Sequence, residues 1–108
     1  MSHIILSGSY KNHIYSLKFN PPSNLELIST TSTGHRPSWI TFHPVDRSLV
    51  FTALEQPDGK IIVVRYGNEG EGEVVSLVSS GGEDPCSLLA TTDELVVANV
   101  CPPQIILY

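Results

Sequence analysis

Charge is scarce in this chain. Asp, Glu, Lys and Arg make up 16% of its 108 residues, and 6 Lys and Arg face 11 Asp and Glu, for a formal net charge of -5. Basic residues nowhere gather into the stripe that a phosphate backbone requires, which excludes nucleic acid as the expected partner. No apolar run reaches the length of a membrane span, and the opening MSHIILSGSY lacks the basic and long apolar segments of a secretion signal. A soluble, cytoplasmic protein without a membrane partner is the expectation. The 2 cysteines, Cys86 and Cys101, are too few for a disulfide framework and lack CxxC spacing, so both are expected to be buried reduced thiols.

Chemical signatures are missing as well. Ser87 has no flanking glycine elbow of the G-x-S-x-G kind, so a serine nucleophile is unsupported. There is no Gly-rich phosphate cradle between a strand and a helix, and His3 and His13 have no partner at metal-ligand spacing. Neither a cofactor nor a metal is expected. No stretch keeps a helical hydrophobic period long enough to compete with a strand reading.

What the chain does contain is a series of short apolar runs within a 41% hydrophobic composition. They are rich in Val, Ile, Leu, Thr, Phe and Tyr, and each is stopped by Gly, Pro, Asn, Asp or Ser. The expected strands are His3–Ser9, His13–Phe19, Leu25–Thr31, Ser38–His43, Ser48–Glu55, Lys60–Tyr66, Glu73–Ser79, Cys86–Thr91, Glu94–Asn99 and Gln104–Tyr108. Turn signals lie between them, among them NPPSN from Asn20, HPVD from His43, PDG from Pro57 and CPP from Cys101. Links this short demand antiparallel hairpins, because a parallel crossover needs roughly a dozen residues or more.

The hairpins repeat. GHRPSWITFHPVDRSLVFTALE, from Gly34, returns in looser form as GEDPCSLLATTDELVVANV, from Gly82. Pro37 matches Pro85, Leu49 matches Leu95, and HIYSLKF from His13 matches KIIVVRY from Lys60, three anchors that agree on a period of about 47 residues. A unit of four short strands at that period fits the blade of a β-propeller, a sheet that cannot cover its own faces and needs neighbours on both sides. The expected fold is therefore all-β, with antiparallel four-stranded blades making about two blades of a larger propeller. An incomplete blade at 1–33, a complete one at 34–80 and an incomplete one at 81–108 are expected. Propellers close with about four to eight blades, so the chain is read as part of a longer protein, a natural truncation, or a ring completed by association.

Taken in order, PSWITFHPVDRSLVFTALE, GKIIVVRY and SSGGEDPCSLLATTDELVVANV resemble the opening of the seven-bladed β-propeller lactonases. That family includes the propeller type of 6-phosphogluconolactonase and the fungal carboxy-cis,cis-muconate cyclase. LSGSYKNHIYSLKFN is similar to the family's first strand pair, and the resemblance covers essentially the whole chain. Seven periods would need roughly 330 residues, about three times this length. The resemblance implies an acidic residue at the end of a blade's second strand, here Glu55. It also implies a His after Pro-Cys, where this chain has Ser87, and an Asn-Tyr pair, where it has Asn99 and Val100. Other residues of the family's site would fall beyond Tyr108, so these 108 residues alone are expected to lack a complete one.

Opening a lactone needs a base to activate water and a cation or donor for the oxyanion on the carbonyl oxygen. His35, Arg36 and Glu55 are the candidates for those roles; the competing reading makes them polar residues of an exposed loop and a strand end. The first functional expectation is a hydrolase of a sugar-acid lactone such as 6-phosphogluconolactone, with that small molecule as the partner. The alternatives are a muconate-type cycloisomerase on the same scaffold, and a non-catalytic module that self-associates through its open blade edges. His43 reads as part of a turn shaped by its Pro and Asp, NEGEGE as a solvated hairpin loop, and Trp39 as packing between blades.

Overall fold

Side chains in a strand alternate between two faces, so a chain of short apolar runs offers two apolar faces per sheet rather than one. The computed structural model describes residues 3–101 and 103–108 and shows how that is satisfied. Ten strands form: β1 (His3–Ser7), β2 (His13–Asn20), β3 (Asn24–Ser32), β4 (Pro37–Phe42), β5 (Leu49–Leu54), β6 (Lys60–Tyr66), β7 (Gly72–Ser79), β8 (Glu83–Ala90), β9 (Leu95–Cys101) and β10 (Gln104–Leu107). They make three antiparallel sheets in the orders β1-β2-β3, β4-β5-β6-β7 and β8-β9-β10, and none of the three closes on itself. Among the described residues there is no helix.

The strands fall where the apolar runs predict, within a residue at most ends; β1 stops at Ser7 instead of Ser9, β9 runs on to Cys101 instead of Asn99, and β8 is extended most. β8 begins at Glu83 rather than Cys86, because Glu83 already pairs with Cys101 across a bulge between Pro85 and Ser87. That bulge corrects the reading of the cysteines: Cys86 sits at the irregular position and is exposed, and Cys101 is exposed at the end of β9.

Register carries the repeat further than sequence matching does. His13 pairs with Ser32 and Lys60 with Ser79; Lys18 pairs with Glu26 and Arg65 with Glu73, so β2-β3 and β6-β7 share one register at an offset of 47 (60 − 13). Even the bulges recur, after Ser16 in β2 and after Val63 in β6. The first sheet thus copies β5-β6-β7. The third copies β4-β5-β6, since Pro37 opposes Leu54 as Pro85 opposes Asn99. This register equates Val50, not Leu49, with Leu95: Phe42 opposes Val50 as Ala90 opposes Leu95. The shift arises because the turn between β8 and β9 is shorter than that between β4 and β5.

The sheets stack face to face. Ala53 and Ile61 on the front of the middle sheet bury against Leu88 and Val97 of the third, with Phe51, Leu95 and Ile106 around them. Trp39 lies across this junction, its indole N–H donating to the Leu88 carbonyl at 3.1 Å, although its outer side stays exposed. On the back of the middle sheet Leu54, Ile62 and Val64 form a second cluster with Tyr66. Hydrogen bonds just beyond the matching strand pairs repeat too: Thr33 N–H donates to the Asn12 carbonyl at 3.0 Å at the end of β2-β3, and Ser80 N–H, 47 positions on, donates to the Gly59 carbonyl at 2.9 Å at the end of β6-β7. Gly59 is required there, since a Cβ would overlap Ser80, Gly82 and Pro85.

Two loops do more than expected. In the 43–48 turn, His43 Nδ1 accepts the amides of Val45 and Asp46 at 3.1 and 2.9 Å, so the imidazole itself shapes the turn. Ser48 donates its hydroxyl and amide to Asp46, which holds that carboxyl below its ordinary range. In the NEGEGE loop the glutamates are solvated, but Gly70 is buried and its carbonyl accepts the Ser16 hydroxyl at 2.7 Å, tying the first sheet to the second.

Removing apolar volume from the front junction tests this packing. Ile61→Ala is expected to lower unfolding stability by about 2–5 kcal/mol, whereas Val45→Ala, on an exposed turn, changes it by less than about 0.5 kcal/mol. Urea titration of both variants checks the contrast, and equal effects would contradict it.

Candidate functional site

The register that opposes Pro37 to Leu54 sets residue 36 beside residue 55 at one end of the middle sheet. Arg36 adopts φ 56°, a left-handed conformation that costs a non-glycine residue about 1–2 kcal/mol. Backbone bonds hold it there: its N–H donates to the Lys11 carbonyl at 2.7 Å, and its carbonyl accepts from Ser38 N–H at 2.7 Å and Glu55 N–H at 3.0 Å. The chain is thereby pinned to the first sheet on one side and to β5 on the other.

This backbone aims the guanidinium along the sheet end. Arg36 Nη2 lies 3.5 Å from Glu55 Oε2, and its Cζ stands 4.2 Å above the Tyr10 ring. Ser38 donates its hydroxyl to the other Glu55 oxygen at 2.9 Å. Arg36 Nε is buried without a hydrogen-bond partner. The 3.5 Å ion pair is longer than a charge-assisted hydrogen bond of about 2.7–2.9 Å, so the fork is oriented by Glu55 without being saturated by it. With both groups partly exposed, the pair adds little stability, under about 1 kcal/mol. Its value is positional.

Arg36 and Glu55 are therefore brought together. His35 is not: its side chain is exposed and stands outside the hydrogen-bonded cluster. Ser38 and Tyr10 join the cluster without having been singled out in the sequence. Ser38 carried one usable signal, its place just after the proline that opens β4, where a strand end faces solvent. Tyr10 carried none, because its approach depends on how the first sheet stacks on the second.

The third sheet repeats the backbone and alters the chemistry. Asp84 occupies the Arg36 place with φ 50°, and its N–H donates to the Gln56 carbonyl at 2.8 Å. Val100 follows Asn99 as Glu55 follows Leu54, so the carboxylate of the middle sheet has an apolar counterpart. Asn99 is buried and clasped to Ser80, with Ser80 Oγ 2.8 Å from its Oδ1 and its Nδ2 donating to the Ser80 carbonyl at 2.9 Å. That makes Asn99 a structural clamp. Ser87 pairs with Ala98 as Trp39 pairs with Ala53, which sets it on the front of the third sheet, the face turned away from the junction made by Leu88 and Val97.

At the opposite strand ends a cleft of about 260 Å³ is lined by Ile4, Leu6, Phe42, Arg47, Tyr66 and Asn68, among others. Burial pushes the Tyr66 hydroxyl above its ordinary range; it and Thr31 Oγ1 are both buried without a well-formed hydrogen bond. The cleft holds none of the expected site residues and falls below the roughly 300–1,000 Å³ of typical ligand pockets.

A family model described as lactonase, 7-bladed beta-propeller, matches residues 4–100. The chain belongs to that family. Its fold is accordingly that of a partial β-propeller, with the sheets acting as blades. A crystal structure from Bacteroides uniformis, whose designation as a 6-phosphogluconolactonase is provisional, matches with a TM-score of 0.78 and 22% identity over 87% of this chain. This lactonase-family chain spans 29% of the length of that one, and at such identity the likeness concerns the fold. No curated protein matches it.

The left-handed conformations are directly testable. At both 36 and 84 the Gly variant is expected to be more stable than the Ala variant by about 1 kcal/mol, since both lose the side chain and only Ala meets the steric penalty. Equal stabilities by urea unfolding would contradict the geometry.

Proposed function

We propose that this chain carries part of the substrate site of a lactone hydrolase acting on sugar-acid lactones such as 6-phosphogluconolactone. Family membership supports the reaction class. The observation that carries the reading to residues is the strained Arg36, turned at a blade end with an unsaturated guanidinium beside Glu55. A cytoplasmic setting belongs to the same proposal.

In lactone hydrolysis the water oxygen bonds to the carbonyl carbon, the ring C–O bond breaks, one water proton goes to a base and the ring oxygen gains a proton. Charge develops on the carbonyl oxygen, and a fixed cation stabilises it without reorganising. Arg36 fits that role, with Glu55 and the Tyr10 ring orienting it. Glu55 is engaged by Arg36 and Ser38 and so acts as a positioning residue. His35, exposed and outside the cluster, is the candidate base because an imidazole can take up the water proton near neutral pH. No step requires a cofactor.

Because the chain covers only part of the family's length, its own contribution is binding and polarising the carbonyl. A sugar δ-lactam, a non-hydrolysable isostere of the lactone, probes this by NMR titration. Amide shifts are expected at residues 35–38 and 55–56, and Arg36→Ala should weaken binding by about 10-fold or more, the scale of a lost charge-assisted hydrogen bond. Shifts confined to other residues, or affinity unchanged by Arg36→Ala, would contradict the proposal.

A further inference from the structure

Register lines up residues from all three sheets at the Arg36 end. The Lys11 carbonyl accepts the Arg36 N–H at 2.7 Å and the Gln56 carbonyl accepts the Asp84 N–H at 2.8 Å, so Gln56 holds in the middle sheet the place that Lys11 holds in the first. Tyr10 then precedes Lys11 as Glu55 precedes Gln56. Arg36 and Asp84 are equivalent too, with φ of 56° and 50° and a buried proline directly after each. Each left-handed residue is thus tied from its own sheet to the preceding one. Arg36 stands above the Tyr10 ring at 4.2 Å, and the same backbone sets Asp84 next along, beside the 55–56 segment. Tyr10, Arg36, Glu55 and Asp84 make one row across the three sheets.

The two left-handed residues differ in what their own sheet supplies. Arg36 has Glu55 at 3.5 Å, and Glu55 is held in turn by the Ser38 hydroxyl at 2.9 Å. In the third sheet Val100 takes the place of Glu55, opposite Asp84, and Cys86 takes the place of Ser38. Neither serves a carboxylate: Val100 has no polar side-chain atom, and the Cys86 thiol donates to the Ala98 carbonyl at 3.8 Å. Asp84 is accordingly a partly buried carboxylate whose oxygens have no hydrogen bond or ion pair among the described residues. A costly backbone conformation presents a group that its neighbours leave unused.

Val100, opposite it, is 53% exposed. A free carboxylate beside an exposed apolar side chain suits a sugar ring. Its two oxygens only accept, and together they take two neighbouring hydroxyls, while the C–H face of the ring has the apolar side chain to lie on. We propose that Asp84 is a specificity-determining residue of the lactone site described under Proposed function, on which its role depends: its carboxylate accepts the ring hydroxyls while Arg36 holds the carbonyl oxygen. Two backbone hydrogen bonds and one peptide link separate the two residues. That is at most about 15 Å between Cα atoms, at about 5.5 Å across each pair and about 3.8 Å along the chain. The Arg36 side chain, reaching toward Glu55, shortens the gap and leaves room for a six-membered sugar lactone between guanidinium and carboxylate.

NMR titration with two lactams separates the roles. D-gluconolactam, with hydroxyls on its ring, is expected to shift amides around Asp84 as well as around Arg36 and Glu55; δ-valerolactam, with the same carbonyl and none of the hydroxyls, shifts only the latter. Asp84→Gly keeps the left-handed turn free of strain and should weaken gluconolactam binding by about 10-fold or more, the scale of a hydrogen bond to a charged group. Asp84→Asn tolerates the same backbone, keeps one acceptor oxygen, and is expected to fall between Asp84→Gly and the wild type. Gluconolactam affinity unchanged by Asp84→Gly, while Arg36→Ala still weakens it, would overturn the role of Asp84 and leave the lactone site standing. Absence of shifts around Arg36 with either lactam would overturn both.

Discussion

A sheet whose two faces are both apolar cannot stand alone in water, and that constraint organises this molecule. Ile61 and Ile62 are adjacent, point to opposite faces of β6, and are both buried. One lies against the third sheet and the other in the cluster on the back of the middle sheet. The 47-residue period is the length of chain needed to build one sheet and return to the same corner ready to build the next, and bulges recurring after Ser16 and Val63 show that the copy extends to local irregularities.

The candidate site is a by-product of how sheets are joined. Chain passing from one sheet to the next must turn sharply, and both turns place a charged residue in a left-handed conformation just before a buried proline. The same backbone device presents Arg36 in one case and Asp84 in the other. Scaffold and chemistry are thereby separated: hydrogen bonds to Lys11 and Gln56 fix the turn, and the side chain is free to vary.

Much of the fold was legible because strand periodicity and turn residues are local signals. His13–Phe19 and Lys60–Tyr66 could be drawn from sequence, and their equivalence recognised, without any knowledge of neighbours. The errors lie where tertiary geometry decides. Cys86 looked like a core thiol, but the bulge after Pro85 turns it outward. His43 looked incidental to its turn, yet caps two amides. At the site, Arg36 and Glu55 were named from sequence, while their ion pair, the left-handed backbone and the part played by Tyr10 and Ser38 arise from the meeting of separate strands. His35, adjacent to Arg36 in sequence, stands apart from the cluster because the turn sends neighbouring side chains in different directions.

Trp39 is the sole tryptophan and spans the junction between the middle and third sheets, so it reports stacking separately from strand formation. Urea unfolding followed by its fluorescence and by far-ultraviolet circular dichroism tests whether sheets depend on one another. The account predicts one coincident transition. Loss of the Trp39 signal at lower urea, with strand content intact, would show that the sheets persist without their neighbours and would contradict it.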